Sequence, residues 1–176
     1  MTGGQDMKQA KTNAMRMLAR QKIHYELREF PSDGRKAADY LGLPPAMIFK
    51  TLVTTDTAGK YFVFWIPTSE ELDLKKAAKA VGIKRIEMLK QKDLLPLTGY
   101  IHGGCSPVGM KKLFPTVLDS SAKQWETIVV SAGHVGMLME SVRNATVIQR
   151  QIMKCSCVLH IQFRILCIKV IYICLR

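Results

Sequence analysis

Apolar side chains near the start of the chain recur at helical spacing, at Met7, Ala10, Ala14, Met17 and Leu18, which predicts an amphipathic helix ending near Gln21. The period then drops to two. Ile23, Tyr25 and Leu27 alternate with His24, Glu26 and Arg28, as in a half-buried strand. Gly34 to Leu41 reads as a short helix stopped by Gly42, and Pro45 suits the first position of another helical turn. KTLVTTD and YFVFWIP, on either side of TAGK, predict an antiparallel hairpin from Lys50 onward, buried on one face or both. Asp73 is a good N-cap for a helix over Leu74 to Val81, with Gly82 as its stop. Lys84 to Met88 gives a further short strand, and Asp93 caps a helical turn limited by Pro96 and Gly99. Gly99 to Met110 is rich in Gly, Ser and Pro, so it is a loop or a sharply bent strand. Strands come next at Thr116 to Asp119, Thr127 to Ser131 and Met137 to Ser141. Helices and strands interleave, and the hairpin rules out a purely parallel sheet. The expected fold is a mixed α/β domain with a curved, barrel-like sheet and flanking helices.

Length and composition bound this picture. The 176 residues suffice for one domain with a real core and are too few for two ordinary ones. Residues 1–6 read as a leader outside the fold, residues 7–148 as the single domain, and residues 149–176 as an atypical tail not native to it. That tail has no acid, no Gly and no Pro, and would be a sticky, edge-seeking strand if exposed. Lys and Arg outnumber Asp and Glu by 26 to 14, and five of those cations lie in the tail, leaving the body at a net charge of +7. Clustered cations displace counterions from a phosphate backbone, so the balance suggests a polyanionic partner, although charge that only aids solubility would look the same. Four of the five cysteines sit in the last 22 residues, without the spacing of a disulfide framework, which points to a reducing, cytoplasmic setting. The longest apolar stretch, Val158 to Leu175, is broken by His160, Gln162, Arg164 and Lys169 and makes a poor membrane span.

Candidate chemistry is sparse. Cys105 and His102 could form a thiolate–imidazole couple, but both lie on one glycine-rich loop and no third group orients them. The four histidines are scattered, so neither a metal nor any other cofactor is expected. Lys50 heads a mostly apolar strand, either as a rim charge with its stem on the sheet or as a cation aimed into a pocket; physics alone favours the rim. Gly103 and Gly104 leave backbone N–H groups unshielded, as an oxyanion or phosphate loop would, and Ser106 with Pro107 stiffens the rest of the loop. Ser131-Ala132-Gly133 at a strand end is a ligand rim or an ordinary turn.

Several segments together resemble the YbaK/EbsC family of prolyl-tRNA editing domains. They are KTNAMRML (Lys11 to Leu18), FKTLV (Phe49 to Val53), LDLKKAAKAVGIKRIEM (Leu72 to Met88), LTGYIHGGCSPVGMKK (Leu97 to Lys112), FPTVLDSSA (Phe114 to Ala122) and TIVVSAG (Thr127 to Gly133). The resemblance implies an aminoacyl-tRNA deacylase, an ester hydrolase or thiolactone-forming lyase, that acts in trans on cysteine mischarged to tRNA for proline. It implies Cys-tRNA as substrate and prolyl-tRNA synthetase as a partner, with no membrane and no metal. It further implies that Lys50 positions the substrate with help from Thr51, that Gly103 and Gly104 give backbone contacts, and that Phe30, Ser106, Ser131 and Gly133 line the substrate site. In the family the substrate's own thiol attacks its ester, so Cys105 would be incidental. Many relatives carry Lys-Arg where this chain has His134 and Val135. The competing readings are an alanine-directed editing deacylase and a non-catalytic tRNA- or synthetase-binding module.

Overall fold

The computed structural model describes residues 11–31, 36–142 and 172–173. The first helix, α1 (Asn13–Arg20), starts where Thr12 accepts a hydrogen bond from the Met15 amide through its side chain. Met7 and Ala10 of the predicted helix lie outside the described residues. Ile23 belongs to the exit turn of α1 and not to a strand, because its N–H bonds back to the Leu18 carbonyl. Strand β1 therefore begins later, at Glu26–Glu29. Helix α2 (Ala37–Leu41) ends at Gly42, and a 3-10 turn over Pro45–Met47 leads into β2 (Ile48–Asp56).

The predicted hairpin is β2 with β3 (Tyr61–Pro67), paired from Phe49↔Pro67 to Thr55↔Tyr61. Its turn is closed by the Asp56 carboxylate, which accepts from the amides of Ala58 and Lys60. Helix α3 (Leu74–Ala80) is capped by Asp73, whose side chain accepts from Lys75 and Lys76 N–H. These two bonds stabilise the carboxylate and lower its pKa.

After β4 (Ile86–Met88), helix α4 runs over Gln91–Thr98. Asp93 sits in its first turn with Lys90 as N-cap, and Pro96 lies inside the helix instead of limiting it. The turn beyond the proline is held by Thr98 Oγ1 donating to the Leu94 carbonyl. Lys111 Nζ lies 3.4 Å from both the Leu95 and the Pro96 carbonyl, a cation at a helix C-terminus. Strands β5 (Thr116–Asp119), β6 (Thr127–His134), β7 (Met137–Val142) and β8 (Tyr172–Ile173) complete the sheet, with a 3-10 turn over Ser120–Gln124 between β5 and β6.

The eight strands form one mixed sheet in the order β1-β7-β6-β2-β3-β5-β8, with β4 branching from β2. Strand β2 is a fork. Its first two residues pair in parallel with β6 (Ile48↔Val129, Phe49↔Val130), and its last three pair antiparallel with β4. One face carries the main core: Phe49, Val53, Val63, Trp65, Val130 and Ala132 pack under α1 and the loop bearing Tyr100, Cys105 and Val108. The other face holds two smaller clusters. Phe62, Phe64, Ile66 and Val117 lie under α3, while Ile48, Val129 and Leu138 lie under α2. Each fully buried large side chain contributes about 1.5–3 kcal/mol, so the main core dominates stability.

Candidate functional site

Alternation along β2 decides what its residues can touch, since successive side chains leave opposite faces of a strand. Lys50 shares its face with Ile48 and with its cross-strand partner Ile66, so it emerges between the two smaller clusters. It is half-buried, and it has no hydrogen-bond or ion-pair partner among the described residues. Extending the parallel register of β2 and β6 by one residue brings Lys50 level with Ser131. Ser131 lies opposite Leu138 and so shares the face of that second cluster. Phe30 packs at the edge of the same cluster, its N–H donating to the Gly136 carbonyl at 2.9 Å. Lys50, Ser131 and Phe30 thus border one apolar floor.

Thr51 is on the other face. It pairs with Trp65, and both the Thr51 hydroxyl oxygen and Trp65 Nε1 are buried without a partner among the described residues. Adjacent in sequence, Lys50 and Thr51 do not share a pocket.

Strand β6 is longer than the sequence pattern predicts. It runs on through Ala132 and Gly133 to His134, with a bulge between Ser131 and His134. The bulge needs a glycine. Gly133 has φ +93°, and a Cβ there would lie 2.7 Å from the Tyr100 ring. Ser131 Oγ accepts from the Gly133 N–H at 3.2 Å, leaving the hydroxyl free to donate. Thr12 Oγ1 donates to the Ala132 carbonyl and ties the start of α1 to the bulge.

The glycine-rich loop packs against this bulge. The Gly104 N–H donates to the Ile101 carbonyl at 3.1 Å, so it is not open to a ligand. The role of Gly104 is close approach, since a Cβ would sit 3.0 Å from Val135 N. Gly103, by contrast, is exposed and its N–H has no backbone partner among the described residues. Ser106 is fully buried, with Oγ accepting from the Val108 N–H at 3.2 Å, so its hydroxyl braces the loop. Tyr100 Oη donates to the Val108 carbonyl at 2.6 Å, and burial pushes this phenol well above its usual range.

Cys105 is buried, and desolvation pushes its thiol up to about 12, partly offset by a hydrogen bond with Thr98. A thiol in that state is a poor nucleophile, and His102 is exposed to solvent on the loop. The described residues contain no group of three or more His, Cys, Asp or Glu side chains able to hold a metal. No helix among them is long and apolar enough to cross a membrane.

Sequence reasoning passed over Thr12, Tyr100 and Gly136, which together hold the bulge, the loop and Phe30. Thr12 carried a readable signal, a hydroxyl residue just ahead of a helical pattern. Starting the helix at Met7 hid it.

The mixed sheet flanked by helices belongs to a known class of domain. The aminoacyl-tRNA editing domain family matches residues 32–145, and the chain belongs to that family. Among particular relatives, a protein of Enterococcus faecalis provisionally named Cys-tRNA(Pro)/Cys-tRNA(Cys) deacylase EbsC is 50% identical over 137 residues, which are 75% of this chain and 84% of that protein. The proline–tRNA ligase of Trichlorobacter lovleyi is 27% identical over 97 residues, covering 55% of this chain but 17% of the ligase. Among solved structures, one described as a provisional trans-editing enzyme for prolyl tRNA synthetase superposes with a TM-score of 0.65 at 26% identity, covering 74% of this chain and 86% of that one.

Proposed function

We propose that this protein is a deacylase that acts in trans on tRNA for proline mischarged with cysteine. The observation that carries the reading is the 50% identity to the EbsC deacylase across 137 residues, a stretch long enough to take in most of the domain. The buried, protonated Cys105 is compatible with this reading, in which the chain supplies no thiol nucleophile. In the proposed reaction the thiol sulfur of the esterified cysteine attacks its own ester carbonyl. A C–S bond forms, the C–O bond to the terminal ribose breaks, and the thiol proton passes to the departing ribose oxygen, giving a thiolactone and free tRNA.

The protein's part is positioning and charge stabilisation. We assign Lys50 to holding the aminoacyl ester, Ser131 to donating a hydrogen bond from the opposite rim, and Phe30 to packing against the ligand. The exposed N–H of Gly103 is the candidate donor to the developing oxyanion. Editing of this kind answers a physical need. A synthetase pocket separates near-isosteres such as proline and cysteine by only about 10 to 200-fold. The 27% identity to part of a proline–tRNA ligase is consistent with a synthetase link, and we place the protein in the cytoplasm on the same reading.

The test compares deacylation of Cys- and Ala-charged tRNA for proline, with Lys50→Ala measured beside the wild type. Cysteine release that depends on Lys50 is expected. Faster loss of alanine would transfer the protein to the alanine-directed class, and tRNA binding without any release would make it a binding module.

A further inference from the structure

Helix α1 carries a feature that the deacylation chemistry does not use. An open groove of about 520 Å³ runs along it, lined by Asn13, Arg16, Met17, Arg20, Gln21 and Gly109. Asn13, Arg16 and Arg20 fall on one stripe of the helix, opposite the buried Ala14, Met15 and Leu18. Arg16 Nη2 donates to Asn13 Oδ1 at 2.6 Å, which orients the guanidinium along the stripe. Neither Arg16 nor Arg20 has a carboxylate partner among the described residues. Lys11 and Lys22 flank the helix, and no acid occurs between Asp6 and Glu26.

The basic surface of α3 differs. On α3, Lys75, Lys76 and Lys79 come directly after Glu70, Glu71 and Asp73, whose charges offset them. One wall of the α1 groove is also fixed by a close contact. Gly109 has φ +78°, and a Cβ there would lie 2.8 Å from both the Asn13 carbonyl carbon and Tyr100 Oη. Asn13, which lines the groove, follows Thr12, whose hydroxyl donates to the Ala132 carbonyl within the β6 bulge.

We propose that this groove holds the phosphodiester backbone of the tRNA arm that bears the amino acid. Guanidinium forks match phosphate oxygens, a stripe free of acids keeps the attraction uncompensated, and Thr12 ties the start of the helix to the β6 bulge. The inference rests on the reading of aminoacyl-tRNA as substrate.

Its test is binding of uncharged tRNA for proline to the full chain, measured by fluorescence anisotropy over a range of salt. The Arg16→Gln/Arg20→Gln variant should bind roughly tenfold more weakly at low salt, with the slope of log K against log salt reduced by about 2. Arg16→Lys/Arg20→Lys should recover most of that slope, and Lys75→Gln/Lys76→Gln/Lys79→Gln should stay within about twofold of wild type. Cysteine release at saturating enzyme should be unchanged by the arginine substitutions. An arginine variant with wild-type affinity and slope, or a larger loss from the α3 variant, overturns the groove. The two readings separate cleanly. If the wild type releases cysteine and the arginine variant clears dilute Cys-tRNA equally fast, the groove falls and the deacylase stands. If the wild type binds tRNA through these arginines but releases no cysteine, the deacylase falls and the groove stands.

Discussion

Lys50 and Thr51 are neighbours on one strand, yet they live in different solvents. Lys50 lies half-exposed between two modest clusters, with no partner among the described residues and with Ser131 level with it on the next strand. Thr51 faces the largest core, where Trp65, Tyr100 and Cys105 exclude water. The face that stabilises the protein is the one where polar groups are mute: a thiol raised to about 12, a phenol also raised by burial, and a hydroxyl without a partner among the described residues. The thinner face is the one where a charge remains available. Stability and reactivity are thus divided between the two sides of one sheet.

The contrast can be broken most directly at Lys50. Lys50→Ala should lower cysteine release by about 10²-fold or more while moving the melting temperature little, because the side chain is half-exposed and has no ion-pair partner among the described residues. A variant that unfolds instead would place Lys50 in the framework. Gly109→Ala tests the opposite face. A Cβ driven against backbone at φ +78° should cost about 2–4 kcal/mol in urea unfolding, with little change in rate per folded molecule.

Cys105 sharpens the comparison through pH. Its folded pKa is raised, so the buried neutral thiol contributes stability that is complete below the ordinary value of 9 and lost as pH climbs from there toward about 12. Cys105→Ala should flatten alkaline unfolding over that window, cost about 1 kcal/mol or somewhat more at neutral pH from lost packing, and leave cysteine release within about twofold. A large loss of release would return the thiol to the chemistry. The smallest expected effect is at Thr51. Thr51→Val removes a buried hydroxyl that has no partner, so stability should hold or rise by about 1 kcal/mol, with release near wild type. A marked loss of release would show that Thr51 reaches the ligand after all.

Much of the architecture was legible because it is local. The hairpin showed as two apolar runs about a turn, and α3 as Asp73 before a helical pattern. The errors came where neighbours in space decide. Pro96 reads as a stop, yet Thr98 and Lys111 support the turn beyond it. Ser131 reads as the end of a strand, although Gly133 carries β6 onward through a bulge. The candidate site was legible only in part. Charge and composition left Lys50 ambiguous, and the family segments singled it out. Grouping Thr51 with Lys50 came from the motif, whereas strand alternation separates them. The glycine pair read as two equivalent donors, and only the fold distinguishes Gly104, bonded to Ile101, from Gly103, whose N–H has no backbone partner among the described residues.

The fork in β2 has a consequence for the order of assembly. Its pairing with β3 closes across a short turn, while its pairing with β6 must bring Ile48 to Val129 across most of the domain. Closing a long loop costs more entropy than closing a hairpin, so the half of the rim that bears Lys50 forms early and the half that bears Ser131 docks late. Pulse-labelled hydrogen exchange should protect the Leu52 and Phe64 amides, which face each other across the hairpin, before that of Val129. A chain caught between these stages would hold a formed core and an open rim, unable to act on its ester until its last strands arrive.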